Sequence, residues 1–231
     1  MDETQPPGHL AAPAGPGPWP GVIVIHEAYG LNDDIRAHTE RLARTGLLAF
    51  APDLQTHGSR LRCVMGAFRE LSAQQGRSFD ALESARAWLA DRSDCTGRVG
   101  VIGFCLGGSF ALLAAAGGGY AAAAVNYGMV PKNAAEVLNG ICPVVAGYGG
   151  RDATLRGAAT RLQDALTGLG VPHDVREYPE AGHGFLNHHK PLLLARIVAK
   201  AGFREAAAAD AWNRIDAFFV EHLSLSSQAQ R

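Results

Sequence analysis

No apolar run in this chain of 231 residues approaches the roughly 18 to 20 residues needed to cross a bilayer, so no membrane span is expected. The stretch from Met1 to Pro20 lacks a basic start and an apolar centre, which argues against a secretory leader and makes the cytoplasm the expected compartment. Basic blocks are also missing. Lys and Arg number 21 against 22 Asp and Glu, for a net charge of −1, so a nucleic acid is not an expected partner. Cysteine is scarce, with four residues (Cys63, Cys95, Cys105 and Cys142), no Cys-x-x-Cys pair and no histidine at zinc-finger spacing. A structural metal is therefore not expected, and a reducing compartment would keep these residues as thiols.

What is present describes one packed domain. The apolar fraction is 47% and the charged fraction 19%, and a chain of this length buries enough surface to need no crosslinks. Residues 1–20 are rich in Pro, Gly and Ala and read as a loose lead-in with one short edge strand at His9–Ala12, ahead of a domain over residues 21–231. Continuous β-branched or apolar runs predict strands at Gly21–His26, Leu47–Ala51, Arg98–Gly103, Ala121–Tyr127, Pro143–Tyr148 and His173–Tyr178. Helical periods fall between them at Asp34–Thr45, with Asp33 or Asp34 as N-cap, and at Phe79–Leu89, Gly107–Ala116, Arg156–Leu169 and Phe203–Leu223. Asp53–Gly76 shows no clean period beyond a short helix at Arg62–Ser72, and is expected over the sheet rim. Such alternation predicts an α/β fold with a doubly wound, mostly parallel sheet and no large lid, whose ligands sit at the strands' carboxyl ends.

Gly103-Phe-Cys105-Leu-Gly107-Gly108 joins one of those strands directly to a small-residue helix. A turn of this kind strains the backbone of its central residue and brings strand and helix close together, hence glycine on both sides. The following helix directs unpaired N–H groups at the cysteine and favours its thiolate. A thiolate nucleophile needs a base, and the base needs an orienting acid. Asp152 follows the strand Pro143–Tyr148 and His183 follows His173–Tyr178, in the order nucleophile, acid, histidine. Taken singly, Asp152 would cap the helix that follows and His183 would be a surface loop residue. Their shared position at strand carboxyl ends overrides both readings. Glu27 ends the first apolar strand and is expected to face the same crevice.

These residues together resemble the dienelactone hydrolase family of the α/β-hydrolases. The likeness runs through Ile25-His-Glu27-Ala-Tyr-Gly30-Leu-Asn32, Ala51-Pro-Asp-Leu54, the cysteine elbow, Gly149-Gly-Arg-Asp152, Gly182-His183-Gly-Phe185 and Ala211-Trp-Asn-Arg214. The resemblance implies a cofactor-independent hydrolase of small esters or lactones with Cys105 as nucleophile, His183 as base and Asp152 as its orienter. It further implies that Glu27 helps hold or release the thiol proton, that the Leu106 and Ala28 amides form an oxyanion hole, and that Tyr29 lies against substrate.

In relatives that act on dienelactone, a serine directly after the histidine and an arginine four residues after it hold the substrate carboxylate. Gly184 and Asn187 occupy those positions here, so the resemblance implies substrate contact by Asn187 and a preference for neutral substrates. In the alternative, a true carboxylate-lactone hydrolase, Arg60, Arg62 or Arg69 would supply the charge. A binding protein that had lost catalysis would be expected to have lost one of Cys105, Asp152 and His183, and all are present. Gly100 to Gly108 lacks both the spacing and the downstream acid of a dinucleotide cradle, so no such cofactor is expected. His188 and His189 have no acidic companion at ligand spacing, and no metal is expected there. The expected partner is a small ester or lactone, and the expected assembly a monomer or small homo-oligomer.

Overall fold

A computed structural model describes residues 5–55, 60–191 and 193–224. In chain order the first half runs β1 (Gly8–Ala11), β2 (Trp19–Ile25), α1 (Asp33–Arg44), β3 (Leu48–Pro52), α2 (Arg60–Ala73), α3 (Arg77–Ala90), β4 (Cys95–Phe104) and α4 (Leu106–Ala116). The second half adds β5 (Ala123–Asn126), α5 (Ala134–Val137), β6 (Val144–Gly149), α6 (Ala158–Gly168), β7 (His173–Tyr178), α7 (Leu193–Val198) and α8 (Glu205–Leu223). The sheet order is β1-β3-β2-β4-β5-β6-β7, with β1 antiparallel to β3 and the remaining pairs parallel.

The continuous apolar run in β2 follows from burial on both faces. Ile23 and Ile25 belong to the core on one face of the sheet, which also holds Leu82 and Leu89 of α3, Phe110 of α4 and, further along the sheet, Leu162 of α6. Val22 and Val24 point the other way, toward Ile35 and Leu42 of α1 and Ile215 and Phe219 of α8. Each such fully buried aliphatic side chain stabilises the fold by about 1.5 to 3 kcal/mol relative to exposure, before the entropy of ordering it is counted.

Several boundaries differ from the sequence pattern. β2 starts at Trp19, whose amide donates to the Asp94 carbonyl at 2.9 Å. The edge strand pairs His9 opposite Ala51. Helix α1 is capped by neither Asp33 nor Asp34 but by Asn32, whose Oδ1 accepts from the Ile35 amide at 3.0 Å. Both aspartates thus fall in the first turn, at the positive end of the helix dipole. Helices α5 and α7 have no counterpart in the pattern; α7 leaves Leu193 70% exposed and presents no amphipathic stripe to read.

β3 lies on one side of β2 and β4 on the other. The chain therefore reverses its direction of winding at β2, and a crevice opens at the carboxyl ends of β2 and β4. Register fixes what stands there: Ile25 pairs with Gly103, so Glu27 and Cys105 emerge from adjacent strands at the same height.

Candidate active site

Cys105 sits between β4 and α4 at φ 55° and ψ −118°, a left-handed backbone that L-residues seldom adopt. Close packing on both sides holds it there. A Cβ on Gly103 would strike the Gly107 carbonyl, and one on Gly107 would strike the Ile25 carbonyl of β2. The Cys105 amide donates to the Asn126 carbonyl at 3.0 Å, tying the turn to β5. Below it, the Ser109 hydroxyl accepts from the Met129 amide at 2.9 Å and anchors the loop after β5.

His183 arrives on the loop after β7, its amide bonded to the Ala199 carbonyl at 2.9 Å and its carbonyl to the Gly202 amide at 3.1 Å. The ring packs against Tyr127, with centroids 5.1 Å apart. Its Nδ1 donates to Oδ2 of Asp152 at 2.6 Å, and its other side faces the Cys105 sulfur. Asp152 has both roles open to it in the sequence, because Oδ1 also accepts from the Thr154 amide at 2.9 Å and caps a 3₁₀ turn at Ala153–Leu155. Burial raises the Asp152 pKa, but the bonds from His183 and Thr154 outweigh it and hold the carboxyl below the usual aspartate range. For His183, burial pulls the pKa down, and the Asp152 bond followed by Cys105 more than reverses this, to about 10. The imidazolium is thus the favoured form at neutral pH.

Glu27 is buried on the wall of the same cavity. Burial raises its pKa; nearby His189 and the Asn32 amide oppose that rise without cancelling it. Asn32 Nδ2 donates to Glu27 Oε1 at 3.1 Å, and His189 Nδ1 lies 3.2 Å from the same oxygen. Asp34 stands behind His189, with Oδ2 accepting from the ring Nδ1 at 2.7 Å and from the His189 amide at 2.8 Å, and Oδ1 accepting from the His188 amide at 3.1 Å. His189 therefore has two acidic partners that its sequence neighbourhood does not reveal. One comes from the first turn of α1, a position that reads as simple helix capping. The ligand atoms of Glu27, Asp34 and His189 lie within 4.8 Å of one another, a spacing that would admit a cation. The 2.7 Å contact is of hydrogen-bond length, so an N–H at Nδ1 links the His189 ring to the Asp34 carboxylate.

His26, overlooked in the sequence, fixes the backbone under Glu27: its Nδ1 donates to the Glu27 carbonyl at 2.8 Å and its Nε2 accepts from the Leu54 amide at 3.1 Å. Burial lowers its pKa and favours the neutral ring that this pairing requires.

The remaining predicted residues divide. Leu106, Ala28 and Tyr29 line the cavity with Cys105 and His183. Gln55 Nε2 holds the Ala28 carbonyl at 3.1 Å, and Tyr29 packs edge-on to His189 with centroids 4.8 Å apart. Asn187 requires a correction. It is 1% exposed and does not line the cavity; its Oδ1 accepts from His38 Nε2 at 2.9 Å, and the His38 ring stacks on Phe104. A buried imidazole N–H needs an acceptor, and that need turns the amide inward. The side chains of Arg60 and Arg62 lie outside the described residues, and Arg69 is exposed on α2, away from the cavity lining.

The cavity encloses about 540 Å³. Its walls are largely apolar, with Phe68, Met129, Leu155 and Val198 contributing from four separate segments, and no Arg or Lys among the described residues lines it.

A mostly parallel seven-stranded sheet covered on both faces, with a strained residue at the strand–helix turn beside the switch point, is the architecture of the α/β-hydrolases. Within that class, the chain belongs to the dienelactone hydrolase family, whose sequence profile matches residues 7–223. It is 28% identical over 239 residues to the carboxymethylenebutenolidase of Rhodococcus opacus, covering 97% of this chain and 90% of that protein. A Methylorubrum extorquens protein provisionally given the same name is 30% identical over 239 residues, covering 96% of this chain and 79% of its own. The crystal structure of a protein provisionally named dienelactone hydrolase from Klebsiella pneumoniae superposes with a TM-score of 0.71 at 26% identity, covering 93% of this chain and 92% of that one.

Proposed function

We propose that the protein hydrolyses neutral small esters or lactones through Cys105, His183 and Asp152. The observation that carries this reading is the convergence of the three side chains on an apolar cavity that no described Arg or Lys lines. In the first half-reaction the Cys105 thiolate attacks the carbonyl carbon, and the developing oxyanion is met by the amides of Leu106 and Ala28. As the intermediate collapses, the C–O bond to the alcohol breaks and His183 gives its Nε2 proton to the leaving oxygen, which leaves a thioester on Cys105. In the second, neutral His183 takes a proton from water, hydroxide adds to the thioester, and the C–S bond breaks to release the acid and regenerate the thiolate–imidazolium pair.

The pKa of His183 suits the first step. Part of its elevation comes from the Cys105 side, and that support vanishes once sulfur bonds to carbon. The imidazolium then becomes a stronger acid just when the leaving oxygen needs a proton. A thiolate is also a good leaving group from the second tetrahedral intermediate, which fits esters and strained lactones better than amides.

Cavity walls to which no described lysine or arginine contributes favour a neutral, apolar substrate body, because an unpaired carboxylate there would lose its hydration without a charged partner. The relatives named carboxymethylenebutenolidase favour a second reading, in which a carboxylate-bearing lactone is the substrate and Arg60 or Arg62 reaches over the cavity. Comparing kcat/KM for a neutral butenolide and its carboxymethylene analogue tests the choice. A higher value for the neutral lactone is expected; a higher value for the anion, lost in Arg60→Ala or Arg62→Ala, would replace the first reading with the second.

A further inference from the structure

Glu27 is buried on the cavity wall, the partly buried Asp34 stands behind that wall, and a single imidazole, His189, lies between the two carboxylates. Three elements supply the group: the end of β2, the first turn of α1, and the loop that carries His183. Asp34 is committed to this arrangement through both oxygens, each accepting a backbone amide from residues 188 and 189 in addition to the ring bond. Such a double clasp fixes the ring plane of His189. It leaves Nδ1 directed between Asp34 and Glu27, and Tyr29 closes over the ring edge. Unlike His183, whose two ring nitrogens serve Asp152 and Cys105 separately, His189 presents the one nitrogen Nδ1 to both carboxylates.

We propose that His189, oriented by Asp34, is a positioning residue that keeps Glu27 in place and in its carboxylate form on the cavity wall it shares with Cys105. The proposal rests on the hydrolase reading above together with the role that the family resemblance implies for Glu27, helping to hold or release the Cys105 proton before the thiolate forms. Burial alone would drive Glu27 toward the neutral acid, and His189 is the strongest of the influences opposing it. Asp34 acts both ways: directly it discourages a second negative charge, yet it secures the ring whose proton offsets that charge. The other groups facing Glu27 are the neutral amides of Asn32 and Asn187, Tyr127 at the end of β5, Cys105 at the elbow, and His26, which holds the Glu27 carbonyl. Among these described neighbours, His189 is the one that can place a positive charge against the carboxylate.

The test measures kcat/KM for p-nitrophenyl butyrate from pH 5 to 9, together with the iodoacetamide alkylation rate of Cys105 over the same range. His189→Leu should move the acidic limb of both profiles upward by about 1 to 2 pH units, the effect of removing an opposite charge at this distance. His189→Lys should move it back toward the wild-type position. His189→Gln keeps a polar side chain without a charge and should displace the limb in the same direction as His189→Leu, which covers the case of a leucine variant that does not fold. If His189 only fastened the loop, activity would fall by one factor at every pH, and an unmoved limb in His189→Leu and His189→Gln would overturn the proposal. Glu27→Gln separates the two layers of argument. An unmoved limb there would overturn the role of Glu27 on which the proposal rests, whereas a moved limb there with unmoved limbs in the other two variants would overturn the role of His189 alone.

Discussion

Ile25 and Gly103 face each other in parallel register, and this single pairing places Glu27 and Cys105 side by side, each two residues further along its strand. The crevice at the switch point thus receives a carboxylate and a thiol from the two central strands. His183 and Asp152 enter from the ends of β7 and β6 and complete the group from one direction.

The first prediction concerns the thiol. Cys105→Ala should lower hydrolysis of p-nitrophenyl butyrate by roughly 10³-fold or more, with residual turnover from the remaining groups. Mass spectrometry after stoichiometric iodoacetamide should find the label on Cys105, with substrate slowing its incorporation. Wild-type rates in the alanine variant would remove Cys105 from the mechanism.

The second concerns pH and stability. His183 is raised in the folded protein to about 10 from an ordinary value of 6.5, so the folded state holds this proton more tightly than the unfolded chain. Its contribution is complete below pH 6.5 and is lost as pH rises through about 10, with a slope of at most about 1.4 kcal/mol per pH unit. Urea unfolding between pH 6.5 and 10 should show this decline, and Asp152→Asn should flatten it. Parallel declines in the two proteins would mean that the Asp152–His183 pair contributes nothing to stability.

The third concerns substrate charge. Met129 lines the cavity and is half exposed, so Met129→Arg can place a guanidinium at the rim without burying it. Relative specificity for a carboxylate-bearing lactone over its neutral counterpart should rise by roughly 10- to 150-fold, the equivalent of one charge-assisted contact of about 1.5 to 3 kcal/mol. Unchanged relative specificity would indicate that another group already supplies the charge.

Asn187 supplies the fourth. Because its carbonyl satisfies the buried N–H of His38, Asn187→Ala should cost about 1 to 3 kcal/mol of stability. Chemical denaturation measures that loss, and the ratio of kcat/KM between neutral and anionic lactones should stay at its wild-type value. A stable variant with altered charge preference would return Asn187 to the substrate site.

The strands and the elbow were readable because their physical causes are local. Val22 to Ile25 carry no polar alternation since both faces of β2 are covered, and Gly103 and Gly107 are needed because backbone lies against them. The meeting of Asp152 and His183 followed from chain order and strand ends, since both loops leave the same edge of the sheet. The surroundings of Glu27 were not readable in this way. Asp34 looks like a helix cap until His189, 155 residues away, is placed against it. Asn187 looks like a pocket residue until His38, 149 residues away, claims its carbonyl. Helix α7 escaped notice because Leu193, Ile197 and Val198 are exposed apolar side chains and mark no buried face.

The backbone at Cys105 has a consequence for how this site can evolve. At φ 55° a β-branched side chain meets its own backbone, whereas an unbranched one is tolerated. Serine can therefore replace cysteine in the same turn with little change of shape. Threonine cannot, although its hydroxyl is also a nucleophile. The turn admits sulfur or a primary alcohol and screens out the secondary alcohol, so the repertoire of this position is set by the torsion angle before any chemistry is selected.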